Sequence, residues 1–295
     1  MIARLISLLA RLLSLLPLSL NRALGVFIAR IAWITNSRSR QVTETNLQLC
    51  FPEKSEIDRG KMAYRSLLHT GQLATECAWV WHRSTEETYK RVGERRGGTL
   101  LREALASPRG LILVSPHMGN WEICTMVVSR ATDFTYFYRS PRRLSLEPLL
   151  LKWRAHLGGQ AATLDAGGIR KGLKILKNGG TVGILPDQEP DTDNGVFVPF
   201  FQHPALTMTL LSRLAARSKA QVIFTFAERL PGAQGWQVHY LPADPDIYDD
   251  DLTVSATAVN RDVERCIALC PEQYVWNYKR FNRQIDGSRR VYRRK

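Results

Sequence analysis

An α/β fold, with a mixed but largely parallel central sheet flanked by helices, is what the sequence predicts, and three observations predict it. From about residue 97 onward, short apolar runs alternate with segments of helical periodicity, the pattern of strand–helix–strand units. Two of those runs, Leu111 to Val114 and Val182 to Leu185, contain no polar side chain, as strands covered on both faces do. No internal repeat or low-complexity tract interrupts the alternation. The chain has 295 residues, enough to bury a full core as one large domain or two modest ones.

Taken in order, residues 2 to 34 are dominated by Leu, Ile, Ala and Val but carry Arg4, Arg11, Arg22 and Arg30. No 18-residue span escapes an arginine, which disfavours a simple transmembrane helix, and the lack of a small-residue cleavage site argues against a removed signal peptide. At 100° per residue Arg4, Arg11 and Arg22 fall within about 20° of one another, and Pro17 is expected to kink the helix. Residues 1–37 are therefore read as a membrane-associated anchoring segment lying in, or steeply entering, an anionic interface. The alternative is an amphipathic helix packed on the protein's own core. Residues 38–295 form the remaining unit.

Residues 38 to 54 are polar and turn-like. Helical periodicity returns from Ser55 to His82, through Met62, Leu67, Leu68, Leu73 and Ala74 to the aromatic Trp79-Val80-Trp81, which is either core or a second interface anchor. The alternating part then reads as helix 99–106, strand 110–115, helix 120–130, strand 133–138, helix 146–157, a short strand near 161–164, helix 168–177 and strand 181–185. Strands 221–226 and 235–241 and helix 253–269 follow.

The chain carries 41 Lys and Arg against 27 Asp and Glu, a formal net charge of +14, which points to an anionic partner: nucleic acid, a membrane surface, or an acidic protein or substrate. Half of that excess lies between Lys279 and Lys295, where eight basic residues face the single acid Asp286. That segment is either a solvated tail or an attractor of phosphate and headgroups. The five cysteines are scattered and odd in number. Cys266-x3-Cys270 lacks a second pair, so reduced thiols are expected and no zinc site. Asp244, Asp246 and Asp249 to Asp251 match no EF-hand spacing. No His-Glu-x-x-His, Gly-x-Ser-x-Gly, P-loop or Gly-x-Gly-x-x-Gly occurs, which removes the usual support for metalloprotease, serine hydrolase, P-loop NTPase and Rossmann readings.

The sequence is organised around Leu111 to Glu122. The apolar strand ends at Ser115-Pro116, where pairing must stop because proline has no N–H, and His117 follows at once. Gly119-Asn120 then offers a turn and a helix N-cap before the apolar-faced helix that starts at Trp121. A histidine thus stands where a buried strand delivers the chain to a helix, the place where open α/β sheets bind ligands, with an acid five residues on. The His-x4-acid spacing also occurs at His82/Glu87 and His239/Asp244, but the first enters a solvated turn and the second runs from a strand into a proline-punctuated loop. Three further polar clusters close successive strands: Tyr138-Arg139, followed by Ser140-Pro141-Arg142-Arg143; Gly167-Gly168-Ile169-Arg170, whose helix start offers N–H groups and a cation to an anion; and Pro186-Asp187-Gln188-Glu189. Their repetition fits a shared rim. The run Phe197, Phe200, Phe201 either lines an apolar slot beside that rim or belongs to the core.

Together these residues resemble the bacterial lipid A biosynthesis acyltransferases, the lauroyl and myristoyl transferases of the wider lysophospholipid acyltransferase group. The carriers are His117-Met-Gly-Asn-Trp-Glu122, Tyr138-Arg139, Leu185-Pro-Asp-Gln188, Phe197-Val-Pro-Phe-Phe201, Thr207-Met-Thr-Leu210, and Pro271-Glu-Gln-Tyr-Val-Trp276 with Lys279-Arg-Phe281. They cover residues 40 to 285 in the family's order. One departure is Ser140 after Tyr138-Arg139, where many relatives carry proline. The resemblance implies an acyl–acyl carrier protein donor, a phosphorylated glucosamine-disaccharide lipid A precursor as acceptor, and action at the cytoplasmic face of the inner membrane. It implies no cofactor, no metal and no nucleic acid.

The chemistry suits the residues. Acyl transfer from a thioester to a hydroxyl needs a base, and His117 is the side chain of suitable pKa, with Glu122 expected to orient it. Asn120, Arg139, Arg154, Arg170, Asp187 and Gln188 are expected on the substrates, with Arg139, Arg170 or backbone N–H groups as candidate oxyanion donors. Two readings compete: the same chemistry on a lysophospholipid, aminolipid or glycolipid, and a basic membrane- or nucleic-acid-binding protein without catalysis.

Overall fold

The computed structural model describes residues 2–141, 143–289, 291 and 292. Arg142, Arg290, Arg293, Arg294 and Lys295, which belong to the expected basic clusters, lie outside them. The chain begins with α1 (Ile2–Leu15) and α2 (Leu18–Ile34), continues through α3 (Arg38–Cys50), the long α4 (Glu56–His82) and the short α5 (Thr85–Tyr89), and then enters the sheet. The alternating part comprises β1 (Val92–Arg96), α6 (Gly98–Ala106), β2 (Leu111–Val114), α7 (Trp121–Ser129), β3 (Phe134–Tyr138), α8 (Glu147–Ala155), β4 (Gln160–Thr163), α9 (Ala166–Lys177) and β5 (Thr181–Ile184). A hairpin, β6 (Gly195–Phe200) and β7 (His203–Met208), precedes α10 (Leu210–Ser218), β8 (Gln221–Arg229), β9 (Trp236–Pro242) and α11 (Leu252–Leu269).

Seven strands form one sheet in the order β1-β9-β8-β2-β5-β3-β4. From β8 to β4 every pairing is parallel; β9 runs antiparallel to β8 and carries β1 parallel to itself at the edge. The predicted mixed, largely parallel α/β architecture is therefore the one observed. Alternation along β2 divides the core. Ile112 and Val114 join one cluster with Leu214 of α10 and Val259 and Val263 of α11, while Leu111 and Leu113 join another with Ile123 and Val127 of α7 and Trp79 of α4. Trp79 is thus core, not an interface anchor.

Several expectations are corrected. Residues 38 to 54, read as turn-like, contain α3, capped by Ser37 on the Arg40 N–H. Its buried residues Val42, Thr43, Asn46, Leu47 and Cys50 recur at helical spacing, but two of them are polar and hide the pattern. Phe200 packs against Phe201, Tyr274 and Phe281 inside the core, so of the two readings of the aromatic run Phe200 and Phe201 take the core one, while Phe197 is half-buried on β6. The C-terminal basic segment is not simply solvated. Arg280 is buried and donates to the Leu206 carbonyl and the Thr207 hydroxyl, and Tyr292 is buried as well.

At the N-terminus Pro17 separates two helices rather than bending one. The carbonyls that α1 leaves free are taken by other side chains: Leu13 by Asn21 Nδ2, Ser14 by Arg83 Nε and Leu16 by Trp79 Nε1. Arg4 and Arg11 are exposed, but Arg22 is buried, so it belongs to no surface stripe. α2 lies close against α4 where Gly25 meets Gly71, a contact that any Cβ on either would obstruct. Leu5, Leu8, Leu9, Leu12, Leu15, Leu20, Phe27, Ile28, Ile31 and Ile34 nonetheless face outward. Among the described residues no single helix is long and apolar enough to cross a membrane; α2 and α3 reach that length and composition only as a pair bent by 81°.

Candidate active site

Strand order creates the site. β2 and β5 are neighbours and parallel, with Val114 opposite Ile184, so residues at equal distances beyond them come together: His117 and Asp187. The ladder continues one step, through the Ser115 N–H to the Ile184 carbonyl at 3.0 Å, and stops at Pro116. Past that point a side chain replaces the backbone partner. Asp187 Oδ2 accepts the His117 N–H at 2.8 Å, and Asp187 Oδ1 lies 2.7 Å from His117 Nδ1.

A carboxylate only accepts, so Nδ1 carries the proton and Nε2 presents its lone pair, toward which the Gln188 amide points from 3.2 Å. Trp121 stands edge-on to the imidazole, with centroids 4.9 Å apart. Asp187 is 2 % exposed. Burial by itself would raise its pKa, but the His117 charge, ring N–H and backbone N–H outweigh that and hold it below the ordinary carboxylate value. The Tyr274 hydroxyl is pushed well above its usual range, by burial first and also by the Asp187 carboxylate.

Glu122 does not orient His117. It is buried on the first turn of α7 and is held by Arg154 of α8, with Nε at 2.9 Å and Nη2 at 2.8 Å. The Glu122 charge in turn raises the Arg154 pKa. The physical reason is placement. From the first turn of α7 the Glu122 carboxylate meets the guanidinium that α8 brings in, whereas Asp187, three residues beyond β5, lies level with His117, three residues beyond the parallel β2.

His117, Glu122 and Arg154 line one cavity of about 200 Å³, with Asp187 buried behind the imidazole. The cavity lining combines the polar side chains of His117, Glu122, Thr125, Arg139, Arg154, Gln188 and Glu189 with the aromatic and apolar ones of Trp121, Tyr136, Phe137, Tyr138, Leu164, Ile184, Leu185 and Met208. A smaller recess of about 30 Å³ adjoins it, between α7 and the sheet, at Leu113, Cys124, Val128 and Phe134. Arg139 sits at the mouth, more than half exposed, and reaches Asp191 at 3.2 Å.

Two expected residues stand elsewhere. Arg170 is exposed on α9 and lines no part of this cavity, and the anion site foreseen at that helix start is already filled, because Asp165 accepts the Gly168 N–H at 2.8 Å. Asn120 is fully buried at the N-terminus of α7 without capping it, and its amide donates to Glu76 of α4 at 3.2 Å. Of Glu76, Arg22 and Arg229, the buried charges behind the His117 turn, Arg22 was read as part of a basic surface stripe and the other two were not singled out from the sequence. A lone acid in an otherwise apolar stretch of α4 was the available signal.

A histidine held by a buried carboxylate, at the C-terminal ends of parallel strands and on a cavity lined by cationic and apolar side chains, has the make-up of a candidate active site on an α/β fold. The chain belongs to the bacterial lipid A biosynthesis acyltransferases, whose family model matches residues 1–283. It is 30% identical over 275 residues to a lipid A biosynthesis lauroyltransferase of Escherichia coli (strain K12), covering 92% of this chain and 88% of that protein. A palmitoleoyltransferase of lipid A biosynthesis from the same strain is 26% identical over 283 residues, with 94% and 90% covered. A lipid A biosynthesis acyltransferase of Haemophilus influenzae is 28% identical over 260 residues, with 86% and 80% covered.

Proposed function

We propose that the protein transfers a fatty acyl chain from acyl–acyl carrier protein to a hydroxyl of a lipid A precursor, at the cytoplasmic face of the inner membrane, with His117 as general base. The observation that carries this reading is the His117–Asp187 pair, whose imidazole lines the cavity: a buried carboxylate holds Nδ1, and Nε2, 3.2 Å from the Gln188 amide, is the ring nitrogen left to act. Nε2 takes the acceptor hydroxyl proton as that oxygen bonds to the thioester carbonyl carbon. The tetrahedral oxyanion then collapses, the carbon–sulfur bond breaks, and the thiolate leaves with the proton returned from the imidazolium.

No protein nucleophile is required, so Asp187 plays the orienting and charge-stabilising part that the acid has in a hydrolase triad. Arg139 and Arg154 are the guanidinium groups on the cavity wall, facing developing negative charge and the acceptor's phosphates. Glu122 fixes Arg154 in that wall. The apolar residues of the cavity lining suit the first carbons of the acyl chain beside the reacting carbonyl, and the outward leucines of α1 beside Arg4 and Arg11 suit an anionic membrane. A non-catalytic binder has no use for an oriented imidazole in a cavity.

Purified His117→Ala protein, supplied with acyl–acyl carrier protein and a hydroxyacylated glucosamine-disaccharide acceptor, is expected to lose transfer while its expression and membrane association persist. Wild-type turnover by that variant refutes the assignment. Mass spectrometry of lipid A from a deletion strain and its complement identifies the chain and the hydroxyl.

A further inference from the structure

Behind the turn that carries His117 lies a cluster of buried charge that plays no part in the chemistry above. Glu76, in the last third of α4, has no exposed surface. Its two oxygens accept from Arg22 Nε at 2.6 Å, Arg229 Nε at 2.7 Å, Arg229 Nη2 at 2.8 Å, Asn120 Nδ2 at 3.2 Å and Trp236 Nε1 at 3.4 Å. Two guanidiniums around one carboxylate leave an excess positive charge, and carbonyls take it up. Arg22 donates onward to Leu230, Gly232 and Gly235, and Arg229 donates to the Gly119 carbonyl. His69 faces Arg229 as a neutral acceptor at 3.2 Å. Such an arrangement is expensive to desolvate, and a well-packed apolar cluster would stabilise the fold at least as well.

What the cluster touches gives it a second use. The turn after β2 has few bonds of its own. The Gly119 N–H goes to the Gln273 carbonyl, the Asn120 N–H goes to the Ala227 carbonyl, and the His117 carbonyl receives the Val275 N–H. Gly119 sits at φ +57, tight against the Ala227 carbonyl. Glu76 reaches this turn twice, directly through the Asn120 amide and indirectly through Arg229 on the Gly119 carbonyl. Gln273 closes the ring, accepting the Arg229 N–H and donating to the Arg229 carbonyl.

We propose that Glu76 and Asn120 are positioning residues of the transfer reaction: the buried carboxylate of α4, held by Arg22 and Arg229, fixes the Gly119-Asn120 turn and through it sets the His117 imidazole against Asp187. The same carboxylate ties α2, and with it the outward apolar face of the N-terminal helices, to the turn that bears the base. The inference rests on His117 being the base, as proposed above.

Asn120→Ala is the discriminating variant, because it removes one amide and leaves the ion cluster whole. The full-length protein in detergent is expected to keep its thermal midpoint to within about 4 °C, the effect of one hydrogen bond in a chain of this size. Its kcat should fall roughly 10- to 100-fold with the KM for both substrates unchanged, as a misplaced base would produce. The acid limb of its pH profile should move to lower pH as the imidazolium loses Asp187. Glu76→Gln should lose kcat at least as far, and adding Asn120→Ala to it should cost nothing more, since both act through one turn. Wild-type kcat and acid limb in Asn120→Ala, alongside an inactive His117→Ala protein, overturn this inference alone. So does a lowered thermal midpoint with kcat per folded molecule intact, which would make the cluster a fold anchor. An active His117→Ala protein overturns the base assignment itself and this inference with it.

Discussion

Asp187 holds His117 at two points, the backbone N–H at 2.8 Å and the ring Nδ1 at 2.7 Å, and both contacts exist because β2 and β5 lie side by side. The second contact fixes the tautomer and the first fixes the height of the ring above the strand ends. Asp187→Asn keeps the shape but offers Nδ1 an amide in place of a full charge. We expect kcat to fall by up to about 10⁴-fold, the loss seen when the acid of a serine-protease triad is neutralised, with acceptor KM little changed. Steady-state kinetics on protein of native circular dichroism checks it; a loss below threefold would remove Asp187 from the mechanism.

That pairing could not be read from the sequence, although both of its members could. His117 stood out through its context, a buried strand ending at Pro116 and a helix starting at Trp121, and Asp187 stood out at the end of the apolar run that became β5. Joining them needs the strand order, which depends on contacts far apart in sequence. Glu122 was near in sequence and was expected to do the work, yet its partner, Arg154, arrives on α8. The buried strands and amphipathic helices of the alternating region were legible because one apolar pattern decides them. β1 was not, since four of its five residues are exposed and its Glu94-Arg95-Arg96 sequence has no apolar alternation to follow. The Glu76 cluster was invisible for the opposite reason: its arginines sit where burial is unexpected.

Glu122 and Arg154 form a pair in which one partner is buried and the other about a quarter exposed. Removing either partner leaves a charge on the cavity wall without its counterion. Glu122→Gln and Arg154→Met should each lower stability by roughly 1–3 kcal/mol, between the values typical of surface and buried pairs, and each should lower transfer. The double variant should recover part of the stability and none of the activity. Urea unfolding and turnover measured on the three proteins decide it; recovery of activity would mean that the pair serves packing alone.

The outward face of α1 presents Leu8 and Leu12 beside the exposed Arg11. If that face lies in an anionic interface, each leucine contributes about 1.5–3 kcal/mol of burial in the acyl region. Leu8→Glu with Leu12→Glu should therefore reduce binding to phosphatidylglycerol vesicles by more than tenfold and leave turnover on a detergent-dispersed acceptor near wild type. Flotation with vesicles provides the measurement, and unchanged flotation would show that the face meets something other than lipid.

His69 gives the protein a pH dependence that can be assigned to one residue. Burial first, and the Arg229 charge next, push its pKa down to about 4 from the ordinary histidine value of 6.5. The unfolded chain therefore binds a proton near pH 6.5, while the folded chain resists it until about pH 4. Where the unfolded state holds more protons, stability rises with pH, so this group's contribution is complete above 6.5 and is lost progressively as pH falls toward 4. A shift of that size corresponds to roughly 3 kcal/mol across the window. His69→Gln keeps an acceptor for Arg229 and cannot titrate. Its thermal midpoint should accordingly vary much less between pH 7 and pH 4.5 than that of the unaltered protein, in which the midpoint should fall steadily. The depressed carboxylates of Glu76 and Asp187 begin to lose their contributions at the acid edge of this window and the raised carboxyls of Asp262 and Glu264 act in the opposite sense, but both proteins share them, so the difference between the two slopes belongs to His69. Parallel slopes for the two proteins would mean that His69 is protonated in the native state and that Arg229 has some other acceptor.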